Sequence, residues 1–142
     1  MNESEYTREV TAALRQALPR QAVVAKLTDL LTGGLPDFFV SHEGTVNWFE
    51  AKKPRRPEFK PLAGKPTLLF YPGRDLRPLQ WQMLVRLKRS WVLLYTEKGH
   101  GMVKVVDDLS WANGAHMDVR LWRLSELVRM ILAVVHYPGG KA

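Results

Sequence analysis

The stretch GLPDFFVSHEGTVNWFEAKKP, residues 34–54, constrains this chain more than any other. Two apolar, aromatic and β-branched runs flank Glu43-Gly44, a pattern that reads as two strands joined by a tight turn. Counting outward from that turn opposes His42 to Thr45, Ser41 to Val46, Val40 to Asn47, Phe39 to Trp48 and Phe38 to Phe49. Asp37 then falls across from Glu50. Opposed carboxylates repel unless a proton or a cation lies between them. Side chains alternate along a strand, so Glu50 and Lys52 share one face while Ala51 turns away and offers only its main-chain carbonyl. Hard oxygen donors in this number suit Mg²⁺ or Mn²⁺, and a lysine beside them can orient water and stabilise charge developing on phosphorus. The same charges on a bare strand edge would simply discourage aggregation, and the three residues alone leave both readings open.

Around this hairpin the pattern predicts an α/β or α+β domain with a central mixed sheet flanked by helices. Residues 4–18 place Tyr6, Val10, Ala13, Leu14 and Ala17 on one helical face, and Pro19 closes that helix. QAVVAKL reads as a strand and TDLLTGGLP as a loop with paired glycines. Residues 54–78 hold six of the nine prolines of the chain, which argues for a long basic loop carrying a short apolar piece, TLLFY. PLQWQMLVRLKR follows as a helix with proline at its start. WVLLYTE, GMVKVVD and MDVRLWRL read as strands, and SELVRMILAVV as a last helix capped by Ser125. That helix is apolar on more than one side, fitting either a core helix or a two-fold interface.

Composition narrows the chemistry. The 142 residues include no cysteine, which excludes disulfides, thiolate metal sites and cysteine nucleophiles and fits a reducing, cytoplasmic location. There is no apolar run of membrane-spanning length and no signal-like N-terminus, so no membrane partner is expected. Twenty-one Lys and Arg against 14 Asp and Glu give a formal charge of +7, which favours a polyanionic partner. The excess gathers just after the hairpin. Lys53, Arg55, Arg56, Lys60, Lys65, Arg74 and Arg77 are the expected DNA-binding set, acting on the phosphate backbone without reading sequence. His42, His100, His116 and His136 lack metal-binding spacing. Hydrolase-elbow, Walker and dinucleotide motifs are absent. The tryptophans read as core or interface residues, with Tyr71 the better candidate for stacking on a base.

The ordered set GLPDFF, WFEAK and RPLQ resembles the PD-(D/E)xK nuclease core, and within it the virus-type replication–repair (VRR-NUC) branch, over residues 5–106. The resemblance implies a restriction-endonuclease-like core forming a single nuclease domain over residues 1–142. It implies Asp37, Glu50, Lys52 and Gln80 as catalytic residues, with Gln82 the less favoured register for the last. A metal held by Asp37, Glu50, the Ala51 carbonyl and an acid of the first helix would complete the site; Glu5 is favoured over Glu9 for that acid. It also implies Mg²⁺-dependent (or Mn²⁺-dependent) phosphodiester hydrolysis of branched or structured DNA, a possible homodimer, and work at a nucleoid or a viral replication site. The long insertion at about 54–77 departs from the branch, where this link is short. Two rivals remain at this level: a catalytically silent nucleic-acid-binding protein with a nuclease fold, and an assembly protein joined through its last helix.

Overall fold

The computed structural model describes residues 1–28, 34–62, 64–106 and 114–136. In chain order the elements are α1 (Glu3–Ala17), β1 (Val23–Lys26), β2 (Phe38–His42), β3 (Thr45–Lys52), β4 (Glu58–Leu62), β5 (Lys65–Phe70), α2 (Pro72–Asp75), α3 (Pro78–Leu87), β6 (Ser90–Thr96), β7 (Gly99–Lys104), β8 (Met117–Arg120) and α4 (Leu124–His136).

Five strands form a mixed sheet in the order β1-β2-β3-β6-β7. Its one parallel pair is β3 with β6, where Glu50 lies beside Val92 and Lys52 beside Leu94. The hairpin register is the one counted from the sequence, from His42↔Thr45 through Phe38↔Phe49. The turn holds it. Glu43 and Gly44 both have positive φ, 49° and 79°, which is the combination whose twist matches the flanking strands.

β6 is buried on both faces, and its alternation divides the core. Leu93 and Tyr95 join Tyr6, Val10, Leu14, Phe38, Val40, Phe49, Leu127 and Ile131, so α1 and α4 cover one face. Val92 and Leu94 join Leu68, Phe70, Leu84, Val103 and Val119 on the other. The last helix is thus a packed core helix, with Leu127, Ile131 and Val135 buried. On α1 the buried stripe runs through Tyr6, Thr7, Val10, Thr11 and Leu14. Thr11 is tolerated inside because its hydroxyl donates to the Thr7 carbonyl at 2.8 Å.

The proline-rich segment is not a loop. β4 and β5 pair antiparallel, and β5 pairs in turn with β8 in a second, three-stranded antiparallel sheet. Four of its prolines stand where a missing N–H breaks no bond of the β4–β5 hairpin or of a helix. Pro61 and Pro66 face each other, and two residues without N–H can pair only at a non-hydrogen-bonded rung. Pro72 and Pro78 open helices, where the N–H has no intrahelical partner anyway. The strand expected over MDVRLWRL is confined to Met117–Arg120 and belongs to this second sheet. Most of the predicted TDLLTGG loop, and Trp111, lie outside the described residues. Among the described residues no helix is long and apolar enough to cross a membrane.

Candidate active site

The backbone delivers Asp37 to Glu50 by pinning it from both sides. The Asp37 N–H donates to the Phe49 carbonyl at 2.9 Å, and its own carbonyl accepts from Leu27 N at 2.8 Å. Its Oδ2 accepts from the Ala51 N–H at 2.7 Å. The side chain therefore folds across the end of β3, and its carboxyl stands beside that of Glu50. Glu50 is 4% exposed, on the strand next to β6. Burial, then the neighbouring Asp37, push its carboxyl up to about 9, with Lys52 opposing. Burial likewise raises Asp37, against the stabilising Ala51 N–H. Burial and mutual repulsion thus both oppose ionisation of the pair, which a proton or a cation would relieve.

Gln80 ties this pair to the lysine. As the third residue of α3 it is buried, and its Oε1 accepts from the Arg77 N–H at 3.0 Å. The same oxygen accepts from Lys52 Nζ at 3.4 Å, while Nε2 donates to Glu50 Oε2 at 3.4 Å. One amide thus closes the helix start and bridges the carboxylate to the ammonium. Gln82, the other register, is exposed and outside the cleft lining.

The acid that α1 brings here is Glu3. Its Oε2 accepts from the Lys53 N–H at 3.0 Å, and it lines the cleft with Asp37, Glu50 and Lys52. Glu5 is not among the lining residues. Asn2 caps the helix by accepting from the Glu5 N–H at 2.8 Å, and its side-chain amide donates back to Glu5 Oε1 at 3.2 Å. Glu5 is thus engaged in the cap, and Glu9 lies further along the exposed side of α1. The pattern N-x-x-E at the chain start carried that signal: it makes Asn2 the N-cap and Glu3 the first helical residue. Among the described residues no three His, Asp or Glu side chains are already drawn together as a metal cage.

The cleft above these groups has a volume of about 890 Å³, and Lys53, Arg55, Arg56, Arg74 and Arg77 line it. Arg74 is fixed. It pairs with Glu58 at 3.1 Å and Asp75 at 3.3 Å, and its guanidinium lies 4.3 Å from the centre of the Tyr71 ring. That contact covers a face of Tyr71 that the sequence reading left open for a base. Lys60 and Lys65 stand outside the cleft; Lys60 pairs with Asp118 at 2.8 Å across the second sheet. His42 is buried at the far end of the hairpin, edge-on to His136.

The sequence matches no protein-family model and no curated protein. Solved structures do resemble the fold. Archaeoglobus fulgidus Hjc, a Holliday junction resolvase from an archaeal hyperthermophile, aligns over 88% of this chain and 98% of its own at 12% identity, with a TM-score of 0.50. A bacterial homing endonuclease aligns over 94% of this chain and 89% of its own at 15% identity, with a TM-score of 0.45. The likeness to the resolvase is one of fold: a central mixed sheet flanked by helices.

Proposed function

We propose that the chain is a divalent-metal-dependent endonuclease that hydrolyses phosphodiester bonds in branched or otherwise structured DNA. The observation that carries this reading is the joined set Asp37, Glu50, Lys52 and Gln80 on the floor of a cleft rimmed by arginines. The fold shared with a junction resolvase and the ordered G-x-P-D, E-x-K and P-x-Q motifs of the virus-type replication–repair branch support it.

The donor set fits Mg²⁺ or Mn²⁺. Two neighbouring carboxyls whose ionisation burial opposes are a place where a divalent cation relieves repulsion, and hard oxygens are what these ions take. Asp37 and Glu50 would hold the ion, with the Ala51 carbonyl and Glu3 as further oxygens. When bound, such an ion supplies charge neutralisation for the phosphate under attack.

The protein's own groups do the rest. Lys52 Nζ, steadied by Gln80, is the donor that holds the attacking water and meets charge developing on the non-bridging oxygens. Water adds to phosphorus, the bond to the departing oxygen breaks, and a proton moves from the water to the leaving alkoxide through solvent. Gln80 is a positioning residue: it fixes Glu50 and Lys52 relative to each other and to the start of α3, whose partial positive charge favours phosphate. Arg55, Arg56 and Arg77 supply sequence-independent backbone affinity. A four-way junction presents two equivalent strands, so a symmetric dimer is the assembly this reading expects.

Nicking of supercoiled plasmid tests the proposal. The parent protein should nick in Mg²⁺ or Mn²⁺ and not in EDTA, and Asp37→Asn should be inactive in both metals. A parent that nicks nothing, or an Asp37→Asn variant as active as the parent, would refute it.

A further inference from the structure

The two sheets are stitched together at a point away from the acids. Gly99 opens β7 with φ of 141°, and a Cβ there would stand 2.9 Å from the Trp122 carbonyl oxygen. Glycine lets the strands close. The His100 N–H donates to the Trp122 carbonyl at 2.8 Å, and the Trp122 N–H donates back at 2.7 Å.

A groove of about 420 Å³ lies at this junction, with Lys65, Lys98, Arg120 and Arg123 among its walls and Glu97 and Glu126 as its acids. Glu126 is turned to its own helix start, accepting from the Arg123 N–H at 3.2 Å. Among the described residues none of the four cations has an acidic partner, whereas Arg74 and Lys60 both do. Two of the four lie on aromatic rings instead: Arg120 at 4.1 Å from the Trp122 ring centre and Lys98 at 4.5 Å from that of Phe59. Exposed cations without acidic partners, steadied against aromatic rings, favour phosphate contact over base contact.

This groove is joined to the cleft by a single strand. β5 begins at Lys65 in the groove and ends at Phe70, just before Tyr71 and the cleft residue Arg74. At about 3.3 Å per residue its six residues span roughly 17–20 Å, the axial length of about five base pairs.

We propose that the junction groove is a second nucleic-acid contact, taking the sugar–phosphate backbone of a duplex arm that does not enter the cleft. The inference rests on the DNA-nuclease reading and gives the β4–β5 insertion a task. It sets the distance between the strand to be cut and a neighbouring arm, which favours branched over linear DNA. Lys98, Arg120 and Arg123 contribute affinity there, with no part in bond cleavage.

The test is fluorescence anisotropy in EDTA, where no cutting intervenes. It compares a four-way junction with a duplex of about ten base pairs over a series of salt concentrations. The variant is the triple Lys98→Glu, Arg120→Glu, Arg123→Glu, with the triple Gln version alongside in case charge reversal harms folding. Junction affinity should fall at least about tenfold and the salt slope should shrink by roughly three, since each lost phosphate contact removes about one unit. The short duplex should lose less than about threefold, because a lone duplex seated in the cleft has no second arm to offer the groove. A folded triple variant with the parent's junction affinity and slope would overturn the proposal, and so would equal weakening on both substrates. Failure of the nuclease reading looks different: no cutting in metal, whatever the binding does.

Discussion

The floor of the cleft and the basic surfaces around it use charge in opposite ways. On the floor, Glu50 is held at 4% exposure beside Asp37, at a cost in desolvation and repulsion that raises both carboxyls above their usual range. On the rim and in the groove, Arg55, Arg56, Arg120 and Arg123 are exposed and solvated, which costs the fold almost nothing. Burial therefore stores the chemistry, and solvated charge stores the affinity. The two regions should respond to different variables: the floor to pH and metal, the surfaces to salt.

The largest effect should come from the floor. Lys52→Ala should lower cleavage by about a hundred- to a thousandfold, the scale for losing a donor at developing charge. DNA affinity should change little by comparison. A Lys52→Ala enzyme within tenfold of the parent would break the division of labour.

The next effect is on stability. Glu50 binds a proton in the metal-free folded protein at neutral pH and loses it in the unfolded chain, because folding raises its pKa from 4.5 to about 9. Its contribution is fully present below about pH 4.5 and is lost as pH rises toward 9. Glu50→Gln should therefore stabilise the metal-free protein at pH 8 by roughly 2–4 kcal/mol and flatten this dependence. Urea unfolding from pH 5 to pH 9 reads both. A variant that keeps the parent's pH slope would show that the carboxyl is not held protonated.

A smaller loss should follow from Gln80→Ala, roughly ten- to a hundredfold in turnover with little change in KM, as expected for a group that orients others. The smallest belongs to the rim. Arg55→Gln with Arg56→Gln should raise KM several-fold and reduce the salt slope of binding by about two. Rim changes that lowered turnover as much as Gln80→Ala would erase the distinction between the two regions.

Much of the floor was legible in the sequence, because a two-residue turn and period-two alternation fix which side chains meet. The register from His42 to Phe49 followed from counting. The β4–β5 hairpin was not legible. Six prolines in 25 residues argue against regular structure, and only the pairing of Pro61 with Pro66 and the remote partner β8 make strands possible there. Such tertiary rescue leaves no local signal. Which helix acid faces the cleft was not legible for a different reason: the cap at Asn2 engages Glu5, and Glu3 lines the cleft instead. Lys60 and Lys65 follow Arg55 and Arg56 in the same basic run, and β-pairing carries them to the second sheet, away from the cleft. Lys98, Arg120 and Arg123 had no reason to be linked to one another until β7 and β8 met.

The measurement that bears most directly on the account is cleavage of single-stranded, duplex, flap and four-way-junction DNA in Mg²⁺, Mn²⁺ and EDTA, with Lys52→Ala beside the parent. The account predicts metal-dependent cutting that favours the branched substrates, stops in EDTA and is lost in the variant. Tight binding to all of them with no cutting of any, in either metal, would contradict it and leave a nuclease fold that only holds DNA.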